Sequence, residues 1–249
     1  MDTSLSKSGT YNAVTFTKKY HMIALNRIIR GFMSGAAKGH FGQWAEDVLV
    51  RKLFPKSKKT GIYLDLGAYH PFIHSNTAFF WMKGWSGINV DANPNSIELF
   101  NKVRPRDTNV WAALVPQKDI REGAHQIALH LSDQSDTQSK ISATGTVNSE
   151  LGLDRGFSKS INVPATCIND LLNTQKVHRI DYLNIDIEGI DVDVLKEMDF
   201  ARISPHVVTI EDYSSHLKEL VNSDISIHME HAGYALVGRA GPTSIFVHE

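Results

Sequence analysis

The sequence has few of the features that mark secreted, membrane-spanning and polyanion-binding proteins. Cys167 is the single cysteine among 249 residues, which excludes an internal disulfide framework and favours a reducing compartment. No apolar run reaches the roughly 20 residues that a membrane-spanning helix needs. The opening residues, MDTSLSKSGTYNAV, lack the apolar stretch of a signal peptide. We therefore expect a cytoplasmic protein without a membrane span.

The chain also lacks a large excess of charge of either sign. It has 26 Lys and Arg residues against 27 Asp and Glu residues, which gives a formal net charge of −1. Proteins that bind nucleic acid through its phosphates usually concentrate positive charge. We therefore expect no nucleic-acid partner, whereas the composition leaves the oligomeric state open.

Polar and apolar residues divide the chain into three parts. Residues 1–20 are polar with little periodicity and are predicted to form a flexible tail. Residues 21–60 carry two stretches with apolar side chains at helical spacing, and we predict N-terminal helices there. These two stretches are HMIALNRIIRGFM and GQWAEDVLVRKLF.

From residue 61 to residue 249, short apolar runs alternate with helical stretches, which is typical of an α/β domain with a mostly parallel sheet. The segment near 117–165 interrupts the alternation, and we interpret it as an insertion or mobile loop over the site. The last segment, YALVGRAGPTSIFVHE, is typical of an antiparallel hairpin. The predicted strands are GIYLDLGA, GINVDAN, TNVWAALV, DYLNIDIE and HVVTIED, and the predicted helices cover about 76–83, 94–103, 191–198 and 215–222.

Acidic residues end the first two predicted strands. In open α/β sheets, ligands bind beyond the carboxyl ends of the strands, where the strand order reverses. The first strand ends in Asp65-Leu66-Gly67-Ala68, and Asp91 follows Gly67 by 24 positions, close to the roughly 20 at which an acid meets a ribose diol. The pair indicates an adenosine-containing cofactor; the structural alternative is that both acids cap the following turns.

The loop after the first strand distinguishes between adenosine cofactors. A pyrophosphate needs several small residues around it, whereas Gly67-Ala68 is followed here by Tyr69, His70, Pro71 and Phe72. NAD and FAD are therefore disfavoured. S-adenosylmethionine has no pyrophosphate, and a C-terminal antiparallel hairpin is, by analogy of fold, typical of methyltransferase sheets.

Taken in order, these segments resemble the FkbM family of methyltransferases, from about Phe41 to Phe246. DYLNIDIEGIDVDVL is the most specific segment. The others are GQWAED, YLDLGAYHPFIHSNT, KGWSGINVDANP, RPRD, WAAL, INVPATCINDLL and VVTIEDY.

The resemblance implies a Rossmann-like class I methyltransferase fold and an S-adenosylmethionine-dependent O-methyltransferase. The implied acceptor is a hydroxyl of a sugar, glycan or secondary metabolite. It also implies that Asp65, Gly67 and Ala68 contact the methionine end of the cofactor, Asp91 the ribose and the Trp111 region the adenine. The family loop usually has a second glycine and an Asn where this chain has Tyr69 and Pro71, so His70, Ser75 and Asn76 are candidates for the amino-acid moiety. The predicted cofactor-binding residues are Asp65, Gly67, Ala68, Tyr69, Ser75, Asn76, Asp91, Ala92 and Trp111.

Methylation of an alcohol requires a base for the hydroxyl proton, and acids end the fourth and fifth predicted strands. Asp186 and Glu188 lie two positions apart, and Glu211 ends the next strand. Crowded acids either raise one pKa toward that of a useful base or bind Mg²⁺, while capping of the next helix is the structural alternative for Asp186 and Glu188. The predicted catalytic residues are Asp186, Glu188 and His70, and the possible metal ligands are Asp186, Glu188 and Glu211. A nucleotide-binding module without catalysis and an NAD-dependent enzyme are the competing hypotheses.

Overall fold

The structure, a computed structural model, describes residue 30 and residues 38–132, 140–142, 157–187 and 189–249. The chain divides into two compact units, Met1–His40 and Phe41–Glu249, and the second unit contains both sheets. The predicted tail and, apart from Arg30, the first predicted helical stretch lie outside the described residues. No helix within these ranges is long and apolar enough to cross a membrane.

The described part of the chain contains eleven strands and eight helices. In chain order the strands are β1 Ile62–Leu66, β2 Ser86–Asp91, β3 Thr108–Trp111, β4 Ala113–Leu114, β5 Gln126–Ser132, β6 Lys140–Ser142, β7 Phe157–Thr166, β8 Tyr182–Ile185, β9 Val207–Glu211, β10 Tyr234–Ala240 and β11 Thr243–His248. The helices are α1 Glu46–Val50, α2 Ala78–Met82, α3 Pro94–Val103, α4 Gln117–Arg121, α5 Ile168–Thr174, α6 Asp191–Glu197, α7 Leu217–Val221 and α8 Asp224–His231.

The larger sheet has seven strands in the order β10-β11-β9-β8-β1-β2-β3. The pairs from β9 to β3 are all parallel, whereas β11 pairs antiparallel with both β9 and β10. The prediction of a mostly parallel α/β sheet with a C-terminal antiparallel hairpin is therefore confirmed. Because the chain leaves β1 toward β3 and returns to β8 on the other side, the strand order reverses between β1 and β8. A ligand crevice is expected at the carboxyl ends of these two strands.

Apolar side chains cover both faces of the central strands, as a parallel sheet between helices requires. In β8, Tyr182 packs in one core with Tyr63 and Trp85. Leu183 and Ile185 point to the opposite core, which also contains Leu64 and Leu66. The same alternation places Asn184 on the face of Tyr182, and the parallel register sets Asn184 beside Asp65 in β1.

The segment near 117–165 contributes a second sheet with the strand order β4-β7-β5-β6. β5 pairs antiparallel with both β6 and β7, while β7 pairs parallel with β4. Residues 133–139 and 143–156 lie outside the described part. This sheet brings the side chain of Leu129, which is 1% exposed, to the edge of the larger sheet.

Candidate active site

A cavity of about 440 Å³ lies at the carboxyl ends of β1, β2, β8 and β9. Its volume is within the range of roughly 300–1,000 Å³ that small-molecule sites occupy. Seven residues from the predicted cofactor and catalytic sets line it together with Glu211. These seven are Asp65, Gly67, Ala68, Tyr69, Asp91, Ala92 and Asp186.

Gly67 makes the tightest backbone approach in this cavity. It has a φ of +79°, and a Cβ added there would lie 1.7 Å from the carbonyl oxygen of Asp186. The amides of Gly67 and Ala68 both donate to the carbonyl of Val90, at 2.9 and 3.0 Å. Glycine is therefore required because three strand ends meet at this point, a requirement separate from any ligand.

Asp65 forms the floor of the cavity and is 2% exposed. Its carboxylate accepts hydrogen bonds from the Thr77 hydroxyl at 2.6 Å and from the Asn184 amide at 2.9 Å. Burial raises the pKa of Asp65, and these two hydrogen bonds and the charge of Arg104 oppose that shift. The floor is thus a buried acid whose charge depends on its polar neighbours.

Arg104 lies behind this floor and is fully buried. Its guanidinium donates to the Thr77 hydroxyl at 2.9 Å, to the Ser75 hydroxyl at 3.0 Å and to the carbonyl of Pro71. The chain from Arg104 through Thr77 to Asp65 places the buried positive charge one side chain away from the buried negative one. Charge pairing through a hydrogen-bonded relay stabilises both groups away from water.

Two predicted cofactor residues, Ser75 and Asn76, belong to this buried network. They are 2% and 4% exposed. The Asn76 amide donates to the Asn184 side-chain oxygen at 3.0 Å, and Ser75 accepts from Arg104. Neither side chain lines the cavity, so the structure places both as supports for Asp65 and Asn184.

Asp91 ends β2, and its carboxylate lines the cavity while it accepts hydrogen bonds from two backbone amides. One carboxylate oxygen accepts from the amide of Tyr69 and the other from the amide of Asn93, both at 2.7 Å. Burial raises the pKa of Asp91 to about 6, against the effect of these two amides, and the nearby charge of Asp65 adds to the rise. A carboxylate has about four acceptor positions, so each oxygen keeps acceptor capacity toward the cavity.

The predicted adenine side of the cavity is apolar. Ala92, Ala112, Ala113, Leu114 and Leu129 line it. Trp111, which the family resemblance placed near the adenine, is 41% exposed and donates its indole N–H to the carbonyl of Ala92 at 2.9 Å. Its ring thus fixes the backbone at Ala92 and does not itself line the cavity.

The two histidines of the first loop have different positions. Nδ1 of His70 accepts from the amides of Phe72 and Ile73, each at 3.0 Å, and His70 does not line the cavity. His74 does line it, and its ring stacks on that of Tyr69 with centroids 6.1 Å apart. The geometry therefore gives His70, a predicted base, a position that organises the loop.

Acidic residues cluster on the opposite side of the cavity from the alanines. Asp186 and Glu211 line this side, and the Tyr213 hydroxyl donates to Glu211 at 2.6 Å. This hydrogen bond raises the pKa of Tyr213, and burial and the charges of Glu211, Asp186 and Asp191 add to the effect. Tyr213 is therefore a protonated hydrogen-bond donor at neutral pH.

Asp191 caps the turn that follows β8. Its carboxylate accepts from the amides of Ile187 and Gly189, both at 2.9 Å. Asp191 thus fixes the turn before α6, and the N-cap residue of that helix, Ile190, makes no side-chain capping hydrogen bond. Glu188 lies outside the described residues.

The described ranges, which leave out Glu188, contain no group of three or more acidic, histidine or cysteine side chains placed to hold a metal ion. The predicted Mg²⁺ site at Asp186, Glu188 and Glu211 therefore has no support among the described residues.

The segment before α1 adds a wall that the sequence pattern did not predict. Gln43 and Trp44 line the cavity, and their amides donate to the buried carboxylate of Glu46 at 3.2 and 2.7 Å. Asp47, also buried, accepts from the amides of Phe41 and Gly42, both at 3.3 Å. Two buried acids thus fix the turn that carries Trp44 to the site.

Sequence reasoning missed Asn184, Arg104, Tyr213 and Trp44 as parts of the site. Asn184 stands two positions before Asp186, at the end of the same predicted strand, so strand alternation alone could have found it. Tyr213 likewise stands two positions after Glu211, whereas Arg104 and Trp44 join the site only by packing against residues distant in the sequence.

Solved structures and a family model match this chain. No curated protein shows significant sequence similarity to the chain. Among solved structures, a TehB-like SAM-dependent methyltransferase from Corynebacterium glutamicum matches with 10% identity and a TM-score of 0.39, covering 93% of this chain and 100% of that one. A 1,6-didemethyltoxoflavin-N1-methyltransferase from Burkholderia thailandensis, with 1,6-didemethyltoxoflavin and S-adenosylhomocysteine bound, matches with 12% identity and a TM-score of 0.37, covering 99% and 91%.

One family model matches a large part of the chain. The model of the methyltransferase FkbM domain matches residues 65–236, which is more than half of the chain. This range begins at the cavity floor, Asp65, and includes Asp91, Asp186 and Tyr213. The resemblance drawn from the sequence is confirmed, and the chain belongs to the FkbM family of S-adenosylmethionine-dependent methyltransferases.

Proposed function

We propose that the protein transfers the methyl group of S-adenosylmethionine to a hydroxyl of a small-molecule, sugar or glycan acceptor. The observation that supports this most directly is a single cavity with two unlike ends. Gly67, Ala68 and Asp91 stand at one end, and Asp186 and Glu211 stand at the other. Methyl transfer needs both reactants aligned in one enclosure.

At the proposed cofactor end, different residues are placed to contact the ribose, the adenine and the methionine moiety of S-adenosylmethionine. Asp91 accepts hydrogen bonds from the ribose hydroxyls, since its backbone partners occupy only part of its acceptor capacity. The alanines and Leu129 pack against the adenine. The negative charge of Asp65 at the floor attracts the ammonium of the methionine end, and Gly67 and Ala68 let that end approach the backbone.

The bound cofactor supplies an electrophilic methyl group on a sulfonium. The chain supplies a proton acceptor, and we assign that role to Asp186, with Glu188, two positions later in the sequence, as a second candidate. Asp186 follows β8, where its amide donates to the carbonyl of Leu66 at 2.9 Å, so its backbone is fixed against β1. The proposal assigns no step to a metal ion.

Replacing Asp186 tests the assignment. Asp186→Asn keeps the shape of the side chain and removes its basicity, so kcat should fall about 100-fold or more, while the Kd for S-adenosylhomocysteine changes little. Calorimetry gives the Kd, and transfer of labelled methyl from S-adenosylmethionine to a panel of alcohols, sugars and matching amines gives kcat. The exposed acid Asp193 supplies the control, Asp193→Asn, which should behave as the unchanged protein. Wild-type turnover in Asp186→Asn would reject Asp186 as the base. Methylation of nitrogen alone would reject the O-methyl assignment. A lack of binding to both S-adenosylmethionine and S-adenosylhomocysteine would reject the proposed function.

The pKa of Asp91 leads to a pH prediction for cofactor binding. Burial raises that pKa to about 6, so the carboxyl is protonated at pH 5 and ionised at pH 7. Ribose hydroxyls donate to the ionised form, and affinity should therefore rise as the pH increases through 6 and level off above it. The Kd for S-adenosylhomocysteine should be about tenfold lower at pH 7 than at pH 5. Asp91→Asn should weaken binding at pH 7 and remove the dependence, and an unchanged pH profile in that variant would contradict the role of Asp91.

A further inference from the structure

The outer part of the cavity has a wall of aromatic and acidic side chains. We call Trp44, Glu211, Tyr213 and Pro242 the mouth wall. All four line the cavity. Trp44 and Tyr213 are 53% and 75% exposed, so both side chains are accessible to a ligand at the mouth of the cavity.

The mouth wall is held in place by backbone contacts. A Cβ at Gly241 would lie 2.4 Å from the Trp44 ring, so the indole lies directly against the turn between β10 and β11. The carbonyl of Pro242 accepts from the amide of Asp212 at 2.9 Å, which ties this turn to the loop that carries Tyr213. The Arg239 guanidinium donates to the carbonyls of Asp212, Ser214 and Gly241, at 2.7, 2.7 and 2.8 Å. The two aromatic rings and Glu211 therefore belong to one fixed surface.

The charge of the cavity has one sign. Among the described residues that line it, Asp65, Asp91, Asp186 and Glu211 are acidic, and none is Lys or Arg. An anionic acceptor would meet repulsion inside a partly desolvated space, where charge interactions are stronger than in water. The proposed function gives roles to Asp65, Asp91 and Asp186, whereas the Glu211–Tyr213 pair at the mouth has none.

We propose, on the basis of the proposed function, that the mouth wall selects a cationic acceptor, a hydroxyl compound that carries an ammonium group. The ammonium lies beside the Glu211 carboxylate and against the faces of Trp44 and Tyr213, while the hydroxyl reaches Asp186. Aromatic faces attract cations, and quaternary ammonium groups are recognised in this way. Tyr213 directs the carboxylate of Glu211 through its hydrogen bond.

Three probes of similar size test the preference for charge. Choline carries a hydroxyl and a quaternary ammonium, 3,3-dimethylbutan-1-ol is its neutral isostere, and 4-hydroxybutyrate is an anionic alcohol. Each is titrated by calorimetry into the complex of the protein with S-adenosylhomocysteine. Choline should bind at least tenfold more tightly than the isostere, and 4-hydroxybutyrate should bind more weakly than either. Glu211→Gln and Trp44→Ala should each reduce the preference for choline severalfold or more.

The control and the cofactor measurement separate the possible failures. Glu230→Gln, at an exposed acid of α8, should keep the preference for choline. Equal binding of choline and its isostere, tighter binding of the anion, or no binding of any probe to a complex that holds S-adenosylhomocysteine would overturn the inference and leave the proposed function standing. Failure of S-adenosylhomocysteine itself to bind would overturn the proposed function and the inference with it.

Discussion

Gly67→Ala should destabilise the protein by more than about 3 kcal/mol and abolish cofactor binding. The new methyl group would lie 1.7 Å from the carbonyl oxygen of Asp186, and the φ of +79° is one that L side chains rarely adopt. Relief requires β1 and β8 to separate at their carboxyl ends, because the neighbour is backbone and cannot rotate away. Overpacking typically costs roughly 1–3 kcal/mol and backbone strain a similar amount. Urea unfolding and calorimetry with S-adenosylhomocysteine measure the two losses.

The matched control for this substitution is Gly123→Ala. Gly123 has a φ of +98°, yet an added Cβ would meet nothing within 4 Å. That variant should lose only the conformational contribution, roughly 1–2 kcal/mol, and keep its affinity for the cofactor. Similar losses at the two positions would show that close packing against Asp186 does not explain the glycine.

Arg104→Met should cost about 3–5 kcal/mol, the range found when one partner of a buried charge pair is removed. The change takes away the cation that the Thr77 relay places near Asp65, and leaves the Pro71 carbonyl and the Ser75 hydroxyl without their donor. Since Arg104 lowers the pKa of Asp65, its removal raises that pKa further. An acid whose folded-state pKa exceeds the unfolded value loses stability as pH rises. The deficit relative to the unchanged protein should therefore be smaller near pH 4 than at pH 7.

Arg106→Met is the control for this variant. Arg106 stands two positions away, is exposed, and donates to the carbonyl of Trp81 at 2.7 Å. Loss of one exposed hydrogen bond should cost about 1 kcal/mol or less, without a marked dependence on pH. Denaturant unfolding at several pH values measures both variants, and equal effects would reject the relay between Arg104 and Asp65.

The larger sheet can be predicted from the sequence because most of its strands are short apolar runs that end at acidic or turn-forming residues. Pro94 begins α3 as expected, and the Asn93 side chain caps it by accepting from the amide of Asn95 at 3.0 Å. Asp65, Asp91 and Asp186 meet in one cavity because parallel strands end at the same edge of the sheet. Their convergence follows from strand direction alone and needs no knowledge of side-chain packing.

Other elements could not be predicted, because their local sequence pattern disagrees with the structure that tertiary packing imposes. Helix α8 has apolar residues at every second position, Ile225, Ile227 and Met229, which is typical of a strand. In the structure Ile225 and Met229 are buried on one helical face and Ile227 is 44% exposed. The cap by Ser223, which accepts from the amide of Ser226 at 3.2 Å, was the available signal for a helix.

The side chains of the mouth wall could not be predicted from neighbouring residues. Trp44 belongs to a stretch with helical apolar spacing, which placed it on a buried helix face. In the structure the helix begins at Glu46, so Trp44 precedes it. Trp44 is 53% exposed, and its ring lies next to Gly241. A contact between residues almost 200 positions apart leaves no periodic trace in either segment. Arg104 was hidden for a related reason, since a guanidinium in a polar turn is normally solvated and this one is fully buried.

The position of β11 between β9 and β10 sets an order of assembly. Within the described part of the chain β10 has no other neighbour in the sheet, so it cannot join until β11, which follows it in the chain, has paired with β9. The proposed cofactor residues depend on β1, β2 and β8, which all precede β11 in the chain. During synthesis these three strands are therefore complete before β11 can pair with β9 and bring the turn that carries Pro242 to the cavity.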